Sequence, residues 1–344
     1  MAKKLSIRDI ATDLNISKTT ISFILNGKAK ENRISNLLID KVLKYIEEKK
    51  FKPNQLAKSL STGKTMIIGL MVEKISDYFF AQIAYHIEEI AYQNGYKIIY
   101  CSTDDDIQKT RELIALFRER HVDGYIITPP AGIEQEIQEL CNDGLPVVLF
   151  DRFFPDIDTS YVILDNYQAS YDAVSYLISK KYKNIALVEL DSEQTQMRDR
   201  FLGYQNALAA HDMPSLIKKI PFANSLDQTV EELVAFMKIN GQIDALFFAT
   251  NYLAFSGIKA LNQLNLKIPE DIAIIGFDDH EIFNIYKPSI TAVAQPLMEL
   301  ANQSINALLN MMNSKKTGEN PQKIIVKADL IIRDSTDSSQ RSRI

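Results

Sequence analysis

The sequence predicts an all-α N-terminal headpiece joined to a larger α/β body that consists of two similar lobes. Three observations lead to this prediction: the length of 344 residues, a change of apolar periodicity after residue 64, and an opposite charge balance on the two sides of that boundary. A chain of this length exceeds one ordinary domain and can bury a sizeable core. We therefore expect two or three compact units.

The first 50 residues have the pattern of three short helices. Ser17 is a good N-cap for a second helix, and Asn26-Gly27 ends that helix. Apolar residues at helical spacing predict a third helix from about Ser35 to Lys49. Helix, tight turn, helix and supporting helix is the layout that places the second helix in the major groove of DNA.

Beyond Lys64, apolar strand-like runs alternate with amphipathic segments, which predicts parallel sheets with helices on both faces. A division near Asp165 favours two lobes over one wide sheet, and a ligand would bind in the cleft at the carboxyl ends of the strands. The predicted strands are Met66–Val72, Tyr96–Ser102, Gly124–Thr128, Val147–Phe150, Ile185–Glu189, Ala245–Ala249 and Ile272–Phe277. The predicted helices include Phe79–Asn94, Ile107–Arg120, Gln168–Lys180, Gln196–His211, Tyr252–Leu264 and Pro296–Asn313.

The charge of the chain is divided between its two parts. Residues 1–64 contain 14 Lys and Arg against 6 Asp and Glu, whereas the whole chain contains 39 against 44. The headpiece is therefore basic and the body acidic. Clusters of Lys and Arg gain affinity for nucleic acid by releasing counterions from phosphates. This asymmetry predicts a headpiece that binds DNA on a body that repels it; a solvated basic tail is the alternative.

Several segments exclude other classes of protein. The N-terminal MAKKLSIRDIA lacks the apolar run of a signal peptide, and no stretch approaches a membrane span, so we expect a cytoplasmic protein with no membrane partner. Cys101 and Cys141 stand alone in apolar contexts and are expected to be reduced core thiols. The four His residues lack zinc-like spacing. We expect no metal and no cofactor.

Two short motifs suggest a phosphate-binding loop and a metal site, but the surrounding sequence favours other interpretations. The GKT at Gly63 resembles the end of a P-loop, but the first glycine of GxxxxGK[ST] would fall on Lys58, and the segment precedes a strand. Asp104-Asp105-Asp106 could be a metal cluster. Since carboxylates stabilise helix N-termini, we expect these aspartates to begin a helix instead.

An ordered series of motifs extends over nearly the whole chain. It starts with SIRDIATDLNISKTTISFILNG, FKPNQLAKSLSTGKT and IIGLMVEKISDYFF, and it continues with VDGYIITP, PVVLFDR, VILDNYQA, IPEDIAIIGFDD and ITAVAQP. The series resembles the lactose-repressor (LacI/GalR) family of bacterial regulators. The resemblance implies two Rossmann-like lobes of the periplasmic-binding-protein type, operator DNA as a partner, a homodimer or higher assembly, and most commonly repression relieved by a small sugar or sugar acid. A non-sugar effector such as a purine is the alternative.

These considerations divide the chain into five segments. We expect the helix-turn-helix headpiece at 1–52 and a hinge helix with linker at 53–64. The first lobe would comprise 65–164 with about 294–323, and the second 165–293 with about 324–336. The polar tail at 337–344 is expected to be disordered.

The second helix carries the predicted base contacts. Lys18, Thr19 and Thr20 form its first turn, where a recognition helix reaches base edges; simple solvation of these residues is the alternative. The resemblance implies that Lys18 and Thr19 occupy the two main base-reading positions, with Lys suited to guanine and Thr to thymine. Phe23 departs from the Arg often found there in the family, and it would contact a thymine methyl or pack internally. The predicted phosphate contacts are Ser17, Ser22, Asn26 and Arg33.

The segment from Pro53 to Leu60 predicts a short linker helix, which is too short to be stable alone. The resemblance implies that this hinge folds on DNA and opens the minor groove with a leucine, which Leu60 matches. Asn54, Ala57 and Lys58 are predicted DNA contacts beside it. An ordinary amphipathic linker is the alternative.

The predicted effector contacts come mainly from the resemblance. It places Arg200, in RFLGY, at the principal effector-binding arginine and Asp278 at the hydroxyl-binding carboxylate, and both groups bind vicinal hydroxyls well. Asp151, Thr250 and Asn251 align with further cleft positions, although the sequence has ATN where the family usually has an AND-type triplet.

Aromatic side chains are expected to form one wall of the same cleft, because the chain has no Trp. The candidates are Tyr78, Phe79 and Phe222, for which packing in the core is an equal alternative.

Two other functional classes fit the sequence less well. A transport-type binding protein would need a signal peptide and would lack the headpiece. A sugar-modifying enzyme would need a nucleophile or an acid/base pair. Asp278, Asp279 and His280 are the only cluster of that kind, and hydrogen bonding to a ligand explains it. We therefore predict that the chain is not an enzyme.

Overall fold

The computed structural model describes residues 5–51, 59, 62–314, 320–337 and 339. The chain divides into two compact units, Met1–Met66 and Ile67–Ile344. The predicted hinge contacts Asn54, Ala57, Lys58 and Leu60 lie outside the described residues, as do residues 338 and 340–344 of the predicted tail.

The first unit contains three helices, Ile7–Leu14, Lys18–Leu25 and Asn36–Glu48, as the sequence predicts. Ser17 caps the second helix by accepting a hydrogen bond from the Thr20 amide, and Ser35 caps the third in the same way. Each helix contributes one fully buried aliphatic side chain to a shared core: Ile10, Ile21 and Val42. Burial of one face leaves the opposite face of the second helix available to solvent.

The described part of the second unit contains two six-stranded sheets. The first sheet has the order β11-β5-β4-β3-β1-β2 and the second the order β12-β10-β9-β8-β6-β7. All described pairings are parallel except that between β12 and β10. The strands are β1 (Ile67–Val72), β2 (Lys97–Ser102), β3 (Gly124–Ile127), β4 (Val147–Phe150), β5 (Ser160–Leu164), β6 (Ile185–Leu190), β7 (Leu216–Ile220), β8 (Ala245–Phe248), β9 (Ala273–Phe277), β10 (Thr291–Ala294), β11 (Lys323–Val326) and β12 (Asp329–Ile331).

Helices connect these strands, as expected for parallel sheets. The described helices of this unit are Tyr78–Gln93, Ile107–Glu119, Glu134–Asn142, Asn166–Ser179, Thr195–Ala209, Leu226–Ile239, Asn251–Leu264, Glu281–Ile285 and Leu297–Asn313, followed by a 3₁₀ turn at Asp334–Thr336. Asp106 caps Ile107–Glu119 by accepting from the Lys109 amide, which confirms that the aspartate triplet begins a helix.

The fold class is confirmed, with corrections in detail. All seven predicted strands are present, and β5, β7, β10, β11 and β12 are additional. The last crossing between lobes was predicted near Ile324, but β11 pairs with β5 of the first sheet through Val326. The chain therefore enters the second lobe only after Val326, because the ladder to β5 continues to that residue.

The core of each lobe lies along its central strands. β3, β4, β8 and β9 are buried along their whole length, which agrees with parallel strands covered by helices on both faces. Cys101 and Cys141 are free thiols of the first lobe, and burial raises the pKa of both. Among the described helices, none combines the length and apolar character needed to cross a bilayer.

Candidate ligand and DNA sites

A cavity of about 420 Å³ lies between the two lobes of the second unit. Side chains that follow the carboxyl ends of the strands line it: Glu73 after β1 and Asp151 after β4 in the first lobe, and Thr250 after β8 and Asp278 after β9 in the second. The volume is that of a small-molecule site. The cavity is thus at the edge of the sheets where ligands of open α/β folds bind.

Seven of the eight predicted effector contacts line this cavity. They are Phe79, Asp151, Arg200, Phe222, Thr250, Asn251 and Asp278. Tyr78 is not part of the lining, and its ring lies 4.5 Å from that of His280.

Arg200 is held in place by contacts on three sides. Its Nε donates to Asn166 Oδ1 at 2.9 Å and its Nη1 donates to the Ala249 carbonyl at 2.6 Å. The guanidinium carbon lies 3.6 Å from the centroid of the Phe277 ring, a cation–π geometry. Asp278 Oδ2 is 3.7 Å from Nη1. Because the described contacts use Nε and Nη1, Nη2 is the nitrogen that can donate to a ligand.

Arg152, which sequence reasoning missed, is the centre of a carboxylate cluster in the first lobe. Its Nη1 donates to Asp105 Oδ1 at 2.9 Å, its Nη2 donates to Glu73, and its Nε lies 3.5 Å from Asp151 Oδ2. Only 3% of Arg152 is exposed. Burial disfavours its charged form, but the three carboxylates together raise its pKa. Its position directly after Asp151 at a strand end was the available sequence signal.

The cavity carboxylates are electrostatically crowded. Burial raises the pKa of Asp151 to about 6, with Arg152 and Arg200 opposing the shift and with Glu73 and Asp278 adding to it. Burial and the nearby Asp278 also raise the pKa of Asp77. Carboxylates in such surroundings gain when a ligand donates hydrogen bonds to them.

Backbone geometry aims two of these carboxylates. Asp151 and Asp278 have φ values of 69° and 66°, in the left-handed region, at corresponding strand ends of the two lobes. Asp tolerates this region better than most residues but still at some cost, and such strain concentrates at functional sites. The two turns are therefore consistent with a ligand site that both lobes share.

Between the described residues of the two lobes, hydrogen bonds form beside the cavity. Asp105 Oδ2, in the first lobe, accepts from Gln194 Nε2 of the second at 2.9 Å. The Phe153 amide donates to Thr195 Oγ1 at 3.5 Å. Asp105 therefore links the Arg152 cluster to the second lobe. Because Arg152 also lines the cavity, a change in the relative position of the lobes would alter the cavity lining.

Other lining residues had no sequence signal of their own. Gln295 lies in the segment between β10 and Leu297–Asn313, and its Nε2 donates to Asp278 Oδ1 at 2.5 Å. The Gln196 amide nitrogen donates to Gln194 Oε1 at 3.0 Å, and Gln196 Oε1 is buried without a hydrogen-bond partner. Side chains of this kind are identified only when the segments that carry them are placed in space.

Asp278, Asp279 and His280, which the sequence offered as a catalytic cluster, have separate structural roles. Both oxygens of Asp279 accept hydrogen bonds from Arg333 at 2.8 Å. His280 Nδ1 accepts from the Ile282 amide at 3.1 Å and so caps the next short helix. Of the three residues, only Asp278 lines the cavity.

The predicted base-reading turn lies on the exposed side of the first unit. Ser17, Lys18 and Thr19 are exposed, whereas Thr20 is half-buried and its hydroxyl lies 2.8 Å from Ser17 Oγ. Lys18 and Thr19 are therefore the exposed side chains of the first turn of this helix. Of the remaining predicted contacts in this unit, Asn26 and Arg33 are exposed, and Ser22 and Phe23 are half-buried.

Comparisons with known proteins match the second lobe by a family model and nearly the whole chain by a relative. The family model of the periplasmic binding protein-like domain matches residues 174–336. The HTH-type transcriptional regulator RegA of Clostridium saccharobutylicum is 30% identical over 335 residues, which covers 96% of this chain and 99% of that protein.

Solved structures with a similar fold also match most of the chain. The lac repressor dimer bound to operator and an anti-inducer has a TM-score of 0.85 at 19% identity, over 97% of this chain and 99% of that one. A LacI family transcriptional regulator from Enterococcus faecium with bound ribose has a TM-score of 0.70 at 26% identity, over 78% and 98%.

Proposed function

Because the chain belongs to the lactose-repressor (LacI/GalR) family of bacterial transcriptional regulators, we propose that it is a cytoplasmic, homodimeric repressor whose operator affinity depends on a small polyhydroxylated ligand bound between its lobes. The observation that carries the ligand part of the proposal is the cavity in which Arg200 and Asp278 from one lobe face Asp151 and Phe79 from the other. Arginine forks and carboxylates bind vicinal hydroxyls with fixed geometry, and an aromatic wall suits a sugar ring.

The first unit would supply the sequence preference. Lys18 and Thr19 are the proposed base contacts, and Ser17, Ser22, Asn26 and Arg33 the proposed phosphate contacts. In the hinge, Asn54, Ala57, Lys58 and Leu60 would add contacts in the minor groove. Two-fold symmetry of a dimer would match a pseudo-palindromic operator.

No enzymatic turnover is proposed for the cavity. Its carboxylates have partners that suit ligand binding: Asp278 is bonded to Gln295 and near Arg200, and Asp151 is near Arg152. A general acid/base pair would need two groups aimed at one reacting atom. A turnover assay on candidate sugars is expected to give flat baselines.

Selection of DNA sites from a random duplex pool tests the function directly. Full-length protein is expected to enrich a palindromic sequence, and anisotropy of the labelled site is then measured with and without sugars, sugar derivatives and purines. A ligand that relieves repression weakens binding to the selected site, and by thermodynamic reciprocity the site weakens ligand binding by the same factor. Failure to enrich any sequence over random DNA would contradict the proposed function.

A further inference from the structure

We propose that the cavity between the lobes takes a polyol that is neutral or carries an amino group, and that it excludes sugar acids and sugar phosphates. This inference rests on the proposed function, because it concerns the ligand of the same cavity. The observation behind it is the charge of the lining. Four carboxylates line the cavity, from Glu73, Asp77, Asp151 and Asp278, against three basic side chains, from Lys74, Arg152 and Arg200.

Arg152, the first of the three basic groups, already forms ion pairs with carboxylates of the protein. Its two terminal nitrogens donate to Asp105 and Glu73, and its Nε lies 3.5 Å from Asp151. A ligand anion would have to displace one of these carboxylates from a guanidinium that is 3% exposed. The displaced carboxylate would then be left without its partner, which is costly in a buried site.

The second, Arg200, is largely occupied as well. Two of its nitrogens bind Asn166 and the Ala249 carbonyl, one face lies on the Phe277 ring, and Asp278 lies 3.7 Å from Nη1. Its remaining Nη2 can donate to a hydroxyl oxygen, but its charge is balanced by Asp278. Lys74, the third basic group of the lining, is exposed to solvent, where screening weakens its attraction for an anion.

Two carboxylates remain without a matched cation among the described lining residues. Asp77 accepts from the Phe79 amide at 2.9 Å, and Asp151 shares Arg152 with Glu73 and Asp105. Hydroxyl donors satisfy such carboxylates, and a protonated amine does so with the opposite charge. A carboxylate or phosphate on the ligand would instead add a like charge within the same enclosed space.

Helix N-termini favour anions, and three described helices begin at the cavity. Thr195–Ala209 has no side-chain cap, so its first turn adds some positive potential, whereas Tyr78–Gln93 and Asn251–Leu264 each have a first-turn amide bound by the cap residue. The Phe79 amide donates to Asp77, and the Leu253 amide donates to Thr250 Oγ1. The apolar part of the wall, from Phe79, Phe80 and Phe222, suits the face of a sugar ring and adds no charge.

A thermal-shift series with matched probes tests the inference on the full-length protein. The probes are glucose, glucosamine, glucuronate and glucose 6-phosphate, the galactose counterparts of these four, and ribose with ribose 5-phosphate. A ligand that binds the folded state raises the melting temperature. At least one neutral or amino sugar is expected to raise the melting temperature. Its affinity is expected to be at least about tenfold higher than that of the acid or phosphate of the same sugar. An acid or phosphate that raises the melting temperature more than its parent sugar overturns the inference.

The free protein provides a second measurement that does not depend on the choice of sugar. If Asp151 and Asp77 carry unbalanced charge, Asp151→Asn or Asp77→Asn should raise the melting temperature of the free protein, since Asn also serves as a helix cap at position 77. The matched control is Asp156→Asn, at an exposed carboxylate outside the lining, for which no change is expected. Absence of a rise in both cavity variants overturns the inference even when no probe binds.

Failure of this inference is distinguishable from failure of the proposed function. A protein that binds its selected DNA site and responds to a sugar acid refutes only the charge preference. A protein without any preferred DNA site refutes the proposed function, whichever probe stabilises it.

Discussion

The guanidinium carbon of Arg200 lies 3.6 Å from the centroid of the Phe277 ring. Phe277 is the last residue of β9, and Asp278 follows it directly with a left-handed backbone. One strand end therefore supplies both the surface on which the arginine rests and the carboxylate beside it. Any movement of this strand end would change the direction of the arginine fork.

This relationship predicts the phenotype of Arg200→Ala and Asp278→Asn. Both variants should lose the response to ligand yet bind the selected operator within about threefold of the wild type, because neither residue belongs to the headpiece. Arg200→Lys should also respond poorly, since an ammonium cannot reproduce the planar fork. Titration of labelled operator with and without ligand measures this, and a variant that responds at wild-type ligand concentrations would place the site on other residues.

In the headpiece, Lys18→Ala should cost about 1–3 kcal/mol on the selected operator and flatten the preference at one base position. Arg33→Ala, at an exposed residue proposed to contact phosphate, should weaken selected and random DNA by similar factors and reduce the salt dependence. Anisotropy titrations on both DNAs at two salt concentrations distinguish the two effects. Equal losses on both DNAs for Lys18→Ala would refute its base-reading role.

Glu189 predicts a pH dependence of stability. Only 4% of this residue is exposed, and burial raises its pKa to about 7 despite Lys219, with Asp191 and Glu193 adding to the shift. A raised pKa in the folded state means that stability present at low pH is lost as the pH rises through about 7. The full shift corresponds to at most about 3 kcal/mol.

Glu189→Gln should therefore raise the melting temperature more at pH 8 than at pH 5, by a few °C. Glu232→Gln is the matched control in the same lobe. Its pKa is lowered, chiefly by the hydrogen bond from Lys218, so it is ionised at both pH values and its effect should not change between them. A constant difference between wild type and Glu189→Gln over this range would contradict the assignment.

Gly203 marks a close contact between two helices of the second lobe. A Cβ at this position would overlap the Tyr167 carbonyl oxygen and lie 2.8 Å from Ser170 Cβ. Because a backbone atom cannot move aside easily, Gly203→Ala should destabilise the protein by about 1–3 kcal/mol. Gly241→Ala, where nothing lies within 4 Å, should leave stability nearly unchanged. Urea unfolding of the two variants measures the difference, and equal midpoints would refute the contact.

The sequence was sufficient to predict strands whose residues are nearly all apolar. It did not predict most of the strands at the edges of the two sheets. The edge strands β7, β11 and β12 were missed, and each is short or contains charged residues that face solvent. An edge strand buries fewer residues than a central one, so its apolar signal is weaker. β12 has the sequence DLI, which no periodicity test can distinguish from a loop.

The sequence likewise indicated some residues of the cavity and missed others. The strand-end positions of Asp151 and Thr250 were predictable because polar residues that follow buried strands meet at one edge of a parallel sheet, whereas Asp278 was assigned from the resemblance to the family. Arg152 and Gln295 were missed, since their importance depends on partners up to 79 residues away, such as Glu73 for Arg152. Tyr78 was predicted together with Phe79, but the structure places its ring against that of His280, and the sequence has no signal that separates the two aromatic residues.

The positions of β11 and β12 affect the order in which the two lobes can be completed during synthesis. Two residues separate these strands, and yet they complete different sheets. A ribosome that has released the chain as far as β10 has therefore exposed a first lobe that lacks β11 and Leu297–Asn313, the helix that packs against β3, β4 and β5. Domains usually fold in the order of synthesis. Here the lobe that begins first is closed only after most of its partner has emerged, so the nascent chain carries an uncovered apolar surface until the last stage of translation.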